Sequence, residues 1–240
     1  MALIPHDVFN DIIKFSDIKT LWQLYNTDQT IKQLCLNNPF VKVLVEYSRN
    51  PYFNLGITST ILDNFLNDLV GNDVEMLKRL QLSFGACLIK GNINKKIIIL
   101  EGSSNGKSTF LALLRILMGC LYVTGSLHLP TKYYKDVHIV SISEDSQNAN
   151  VVPILNQLCD EDKFTIYAHN ANTLTLQNKP NFNNRLNIFE FKTIYVNRPN
   201  GNGKISIPNM LGGVLLADTN TLPALLNFLL EGCREVLTNL

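Results

Sequence analysis

The run KKIIILEGSSNGKSTFLALLRILMG, residues 95–119, leaves a chain few ways to fold. Its opening is short, β-branched and apolar, the composition of a strand buried on both faces of a parallel sheet. Its close, STFLALLRILMG, carries apolar residues at helical spacing with no Gly or Pro to interrupt them before the end. A strand joined to a helix by a glycine-rich turn aims a helix N-terminus and several backbone N–H groups at one spot, which suits a phosphate. The turn and the first helical positions are Gly102, Ser103, Ser104, Asn105, Gly106, Lys107, Ser108 and Thr109. We read them as a phosphate loop for ATP: the N–H groups from Ser103 to Thr109 form the cradle, Lys107 contacts the β- and γ-phosphates, and Ser108 ligates Mg²⁺. The usual spacing of such loops places Gly at 101, where this chain has Glu101, with Gly102 one residue later. Gly102 can supply the flexibility, but the sequence offers no reason for a carboxylate at the mouth of the loop.

Two further segments complete the pattern. DVHIVSISED reads as a strand ending on Glu144 and Asp145. Carboxylates at that place suit a metal ligand and a group that orients water, and which residue takes which role is left open. IFEFKTIYVNRP reads as a third strand with Asn197 at its tip, where a polar group can sense the γ-phosphate. Strands alternating with helices predict an α/β core with a parallel sheet over 95–210. A helical lead-in over 57–91 precedes it, and an amphipathic helix over 221–238 closes it. The first 50 residues carry apolar positions at helical spacing, Val8, Ile12, Phe15, Leu21, Leu24, Ile31 and Leu34, and predict a small all-α module. RNPYFNLG, rich in turn formers, then reads as a linker with a domain boundary near 50.

Composition narrows the function classes. With 46% hydrophobic and 17% charged residues and a net charge of +1, the chain reads as globular, without a polyanion-binding tail, so any nucleic-acid contact must be local. Five scattered cysteines without a C-x-x-C pair argue against a disulfide framework or a zinc site and for a reducing compartment. No basic leader followed by an apolar run and no bilayer-length apolar stretch appears, so the expectation is a soluble intracellular protein without membrane contact.

EGSSNGKSTF, VSISED and YVNRPN together resemble the three motifs of superfamily 3 helicases, AAA+-like ring motors of viruses, phages and plasmids. The wording of the loop is most similar to the poxvirus and phage primase-helicase branch, and the likeness covers residues 60–240. It implies a P-loop NTPase fold, a homo-hexameric ring with ATP between subunits, and translocation on single-stranded DNA during replication in the cytoplasm or nucleus of an infected cell. It also implies a basic residue after the sensor Asn that reaches the neighbouring subunit's γ-phosphate. Lys204 stands at that place, with Arg198 as the other candidate, and Lys lacks the planar fork of Arg. The family's Gly-Gly-Asp turn is replaced by Asp160, Glu161 and Asp162. The DNA-contacting hairpin would fall in YAHNANTLTLQNKPNFNNRLN, with His169, Lys179 and Arg185 as the candidate contacts. Residues 4–35 resemble, more loosely, an F-box, the module that docks on Skp-type adaptors of ubiquitin ligases; Ile4, Pro5 and Leu21 would form the docking face. A helical collar that helps the motor oligomerise is the other reading of that segment. The alternative for the whole chain is a helicase relic that binds ATP without unwinding and acts as an adaptor.

Overall fold

The computed structural model describes residues 16–27, 29–92, 95–125, 137–143, 151–168, 185–196, 204–205 and 208–239. The predicted α/β class holds. Five strands, β1 (Ile97–Glu101), β2 (Tyr122–Gly125), β3 (Ile139–Ser143), β4 (Phe164–Ala168) and β5 (Leu186–Glu190), form one sheet in the order β2-β3-β4-β1-β5. Every pairing is parallel. Parallel strands have all their carboxyl ends on one edge, and that edge carries the glycine-rich turn.

The chain reaches the sheet through helices. α1 (Ile18–Thr27), α2 (Gln29–Cys35) and α3 (Pro39–Tyr47) come first, then α4 (Thr60–Leu69) and α5 (Val74–Gly85). The starts are set locally: Asn38, Ser59 and Asp73 cap α3, α4 and α5 with side-chain oxygens that accept backbone N–H groups of the first turn. α6 (Lys107–Met118) follows the turn after β1, α7 (Val151–Asp160) joins β3 to β4, and α8 (Pro208–Ala217) and α9 (Thr221–Thr238) end the chain. A small parallel pair, β6 (Tyr195–Val196) and β7 (Lys204–Ile205), stands apart from the main sheet.

Alternation along the strands divides the core. Ile98 and Leu100 of β1, with Ile166 of β4 and Phe189 of β5, face the large cluster built by α1 to α6 together with α8 and α9. Ile97 and Ile99 face the other way, with Val140, Ile142 and Tyr167, onto Leu155, Leu158 and Cys159 of α7. β1, apolar from Ile97 to Leu100, is thus buried on both sides, as a central parallel strand requires. The helices before residue 50 belong to the same large cluster. Asn50 donates to the Leu117 carbonyl at 2.9 Å, and Arg234 of α9 donates to the Ser16 carbonyl at 2.7 Å. Leu21, expected on a docking face, is fully buried, while Ile4 and Pro5 lie outside the described residues.

Three readings of the sequence need correction. The sequence reading has no strand at β2 or β4, and three acids stand just before β4. FTIYA is nonetheless buried along its length and pairs with both β1 and β3, so packing rather than the flanking charge decides its state. The expected third strand is two elements. β5 ends at Glu190; beyond it the Lys192 N–H bonds the Leu69 carbonyl at 3.1 Å, so the end of α4 draws the chain away from the sheet. At the N-terminal end, α3 was not anticipated, and the helix expected around Val8, Ile12 and Phe15 lies outside the described residues.

The five cysteines are unbridged. Among the described residues no single helix is long and apolar enough to cross a membrane.

Candidate nucleotide site

β1 keeps its pairing with β5 through Glu101, which lies opposite Glu190. The Glu101 carbonyl accepts from the Phe191 N–H at 3.2 Å and from Asn105 Nδ2 at 2.9 Å. The turn therefore begins one residue later than usual, and the demand for glycine moves with it. Gly102 has φ +110°, and a Cβ there would lie 2.0 Å from Asn105 Nδ2. This is the physical account of Glu101: it is the last strand residue, and its backbone anchors the loop. Ser104 at φ +52° and Gly106 at φ +86° complete the curl before α6 begins. Gly102→Ala is expected to weaken Mg-ATP binding about ten-fold or more, because the loop must leave this geometry to relieve the clash and about 1–2 kcal/mol of backbone strain. Calorimetric titration of the variant against wild type checks it.

Inside the curl sits Asn105, 1% exposed. Its Nδ2 donates to the carbonyls of Glu101 and Phe191, both at 2.9 Å, and its Oδ1 accepts from Lys107 Nζ at 3.2 Å. Lys107 Nζ also donates to the Gly102 carbonyl, and the side chain is only 7% exposed. Lys107 opens a 12-residue helix, so its ammonium lies at that helix's N-terminal turn. A buried cation beside a helix N-terminus is a place where an anion gains both charge pairing and backbone donors. Ser103, Ser104 and Ser108 face solvent, and Thr109 is half-buried.

A strap over 191–195 lies against the loop. Tyr195 N–H donates to the Ser104 carbonyl at 2.7 Å, Thr193 Oγ1 donates to the Asp68 carbonyl, and the Tyr195 ring packs on Gly106 beside Phe65 and Leu69. The Phe191 ring meets Phe110 of α6 edge-on at 6.4 Å between centroids, so strap and loop helix share one aromatic contact. The strap leads into β6, where Tyr195 pairs in register with Lys204. The backbone of Lys204 is therefore one strand away from the loop of its own chain. Asn197 follows two residues after Tyr195 and lies outside the described residues.

Other expected residues distribute unevenly. In register, Leu100 of β1 lies beside Ala168 of β4, which lies beside Ser143 of β3. Two interstrand spacings of about 4.8 Å put the end of β3 roughly 10 Å across the edge from the end of β1. Glu144 and Asp145 follow Ser143, and His169 follows Ala168; all three, with Lys179, lie outside the described residues. Arg185 is at the opposite, amino edge, just before β5, where it pairs with Asp160 at 2.8 Å. Asp162 pairs there with Lys95. Two of the three acids at 160–162 thus serve the amino edge, away from the glycine-rich turn. A cleft of about 230 Å³ on that edge is lined by Lys90, His138, Glu161 and Lys163. Lys163 donates to the Val137 carbonyl at 3.0 Å, and burial pushes the His138 imidazole pKa down.

Sequence reasoning assigned the loop N–H groups and Lys107 but missed the inward role of the Asn105 side chain and all of the strap. The available signal for the strap was that it runs into YVNRPN, of which Tyr195 is the first residue.

No protein-family model matches the chain, and no curated protein sequence does. Solved structures do. The C-terminal region of NrS-1 in its A form superposes with a TM-score of 0.55 at 13% identity, covering 77% of this chain and 50% of that one. A second apo structure of the same region gives 0.53 at 14%, covering 79% and 54%. The JCV helicase also matches, at 15% identity and a TM-score of 0.34 that bears no weight. This chain spans about half the length of the NrS-1 regions it matches. At such identities the likeness is one of fold alone.

Proposed function

We infer that this chain is an ATP-driven, helicase-like motor domain of viral or mobile-element type. In this reading Lys107 and the N–H groups of Ser103 to Thr109 hold the phosphates of ATP. Ser108, with Glu144 and Asp145, holds Mg²⁺, one of the two acids orients water, and Asn197 senses the γ-phosphate. The observation that carries it is the loop itself: a buried lysine and a fully buried asparagine inside a left-handed curl, at the carboxyl edge of a five-stranded parallel sheet. The likeness to the NrS-1 region is one of fold and agrees with the α/β core this reading needs. Single-stranded DNA is the track and a homo-hexamer the working assembly. Lys204 is the residue nearest in kind to the family's trans-acting arginine. His169 and Lys179 remain its candidate DNA contacts, and Arg185 would have to leave Asp160 to join them.

The N-terminal helices serve the motor's own scaffold in this reading. Burial of Leu21 within the common core supports that over a role in docking a Skp-type adaptor.

Steady-state ATP hydrolysis with and without single-stranded DNA, over a range of protein concentrations, tests the proposal. Turnover stimulated by DNA and rising cooperatively with protein is the expected result. Tight ATP binding without turnover in any condition would move the chain to the relic reading.

A further inference from the structure

The strap carries a group that nothing above uses. Tyr195 is 6% exposed, and its hydroxyl is buried without a hydrogen-bond partner among the described residues. An unpaired buried hydroxyl is destabilising, so its retention asks for a reason. Phenylalanine would fill the same slot without that cost.

The position of the ring supplies a reason. Its Cε2, the carbon next to the one bearing the hydroxyl, would lie 3.2 Å from a Cβ on Gly106. The hydroxyl end of the ring, not its Cβ end, is therefore at the residue immediately before Lys107. The backbone is fixed there by the Tyr195 N–H bond to the Ser104 carbonyl at 2.7 Å, and Phe65 and Leu69 flank the same glycine. Burial pushes the phenol pKa up to about 12. The group stays protonated at neutral pH, a donor with no acceptor, next to a loop built to receive an anion.

We propose that the Tyr195 hydroxyl donates a hydrogen bond to the polyphosphate chain bound by the loop, making Tyr195 a phosphate-binding residue alongside Lys107. This rests on the nucleotide-site reading above. It gives the strap a direct contact with the ligand, two residues before Asn197.

The test is Tyr195→Phe in the full chain, titrated calorimetrically with Mg-ATP and separately with Mg-tripolyphosphate, beside wild type and Lys107→Met. Melting without ligand is measured for each. The expected result is affinity for both ligands weakened about ten-fold in Tyr195→Phe, with a melting temperature equal to or above that of wild type. Unchanged affinity for both overturns the proposal and leaves the hydroxyl a tolerated defect. A loss confined to Mg-ATP also overturns it, because the contact would then be to the nucleoside. If wild type binds neither ligand, or Lys107→Met binds both as wild type does, the nucleotide-site reading fails first and this proposal with it.

Discussion

Replacing Lys107 by Ala or Met is expected to lower ATP turnover by at least about 10²–10³-fold, the loss seen when one preorganised donor to developing charge is removed. Lys107 opens α6, its ammonium is held within the loop by the Gly102 carbonyl and Asn105 Oδ1, and the side chain is almost wholly buried. No other cation is recorded within the described loop segment from Gly102 to Thr109, so no neighbouring lysine or arginine there can take over. The two substitutions separate charge from volume. Methionine fills the space of the lysine stem, so a folded Lys107→Met chain without turnover assigns the loss to the ammonium. Retained turnover in both variants, measured by phosphate release, would remove Lys107 from the chemistry.

Gly232→Ala is expected to destabilise the fold by about 2–3 kcal/mol, against the gain of up to about 1 kcal/mol that alanine normally brings to a helix interior. α5 and α9 cross with their backbones nearly in contact. A Cβ on Gly232 would lie 2.1 Å from the Gln81 carbonyl oxygen, and one on Gly85 would lie 2.4 Å from the Cys233 nitrogen. Both obstacles are backbone, so neither can rotate aside; the helices must part. α9 is also the helix on which the N-terminal segment and the lead-in converge, through Arg234 to the Ser16 carbonyl and Gln81 to the Phe228 carbonyl. Parting it from α5 loosens both. Gly85→Ala should behave alike, and the double variant should cost less than the sum because both act on one crossing. Urea denaturation followed by circular dichroism reads all three; a wild-type midpoint for Gly232→Ala would show that the crossing is wider than described.

What the sequence disclosed, and what it hid, follows from how far each feature reaches along the chain. β1, the loop and α6 are contiguous, so strand composition, glycine positions and helical spacing sit in one readable stretch. The closing helix was legible for the same reason: its expected span of 221–238 coincides with α9. β4 was hidden because Asp160, Glu161 and Asp162 make its approach look like a charged turn, whereas two of those acids are paired across the amino edge with Arg185 and Lys95. The strap was hidden because its partners, the carbonyls of Asp68, Leu69 and Ser104, lie far away in sequence. Backbone carbonyls leave no signature in residue type. Asn105 belongs between these cases: its identity was read as part of the cradle, but that its amide turns inward to Phe191 is a tertiary fact. The displaced glycine shows the same limit. Spacing alone makes Glu101 an anomaly, and only the register with Glu190 explains it.

The claim on which all of this depends is that the curl between β1 and α6 holds a nucleotide through Lys107. Calorimetric titration of Mg-ATP into the wild-type chain, with Lys107→Met as the control, tests it most directly. Saturable binding at one site per chain, lost in the variant while its circular dichroism spectrum stays that of wild type, is the expected result. Absence of saturable binding by a folded wild-type chain, or equal binding by Lys107→Met, would contradict it.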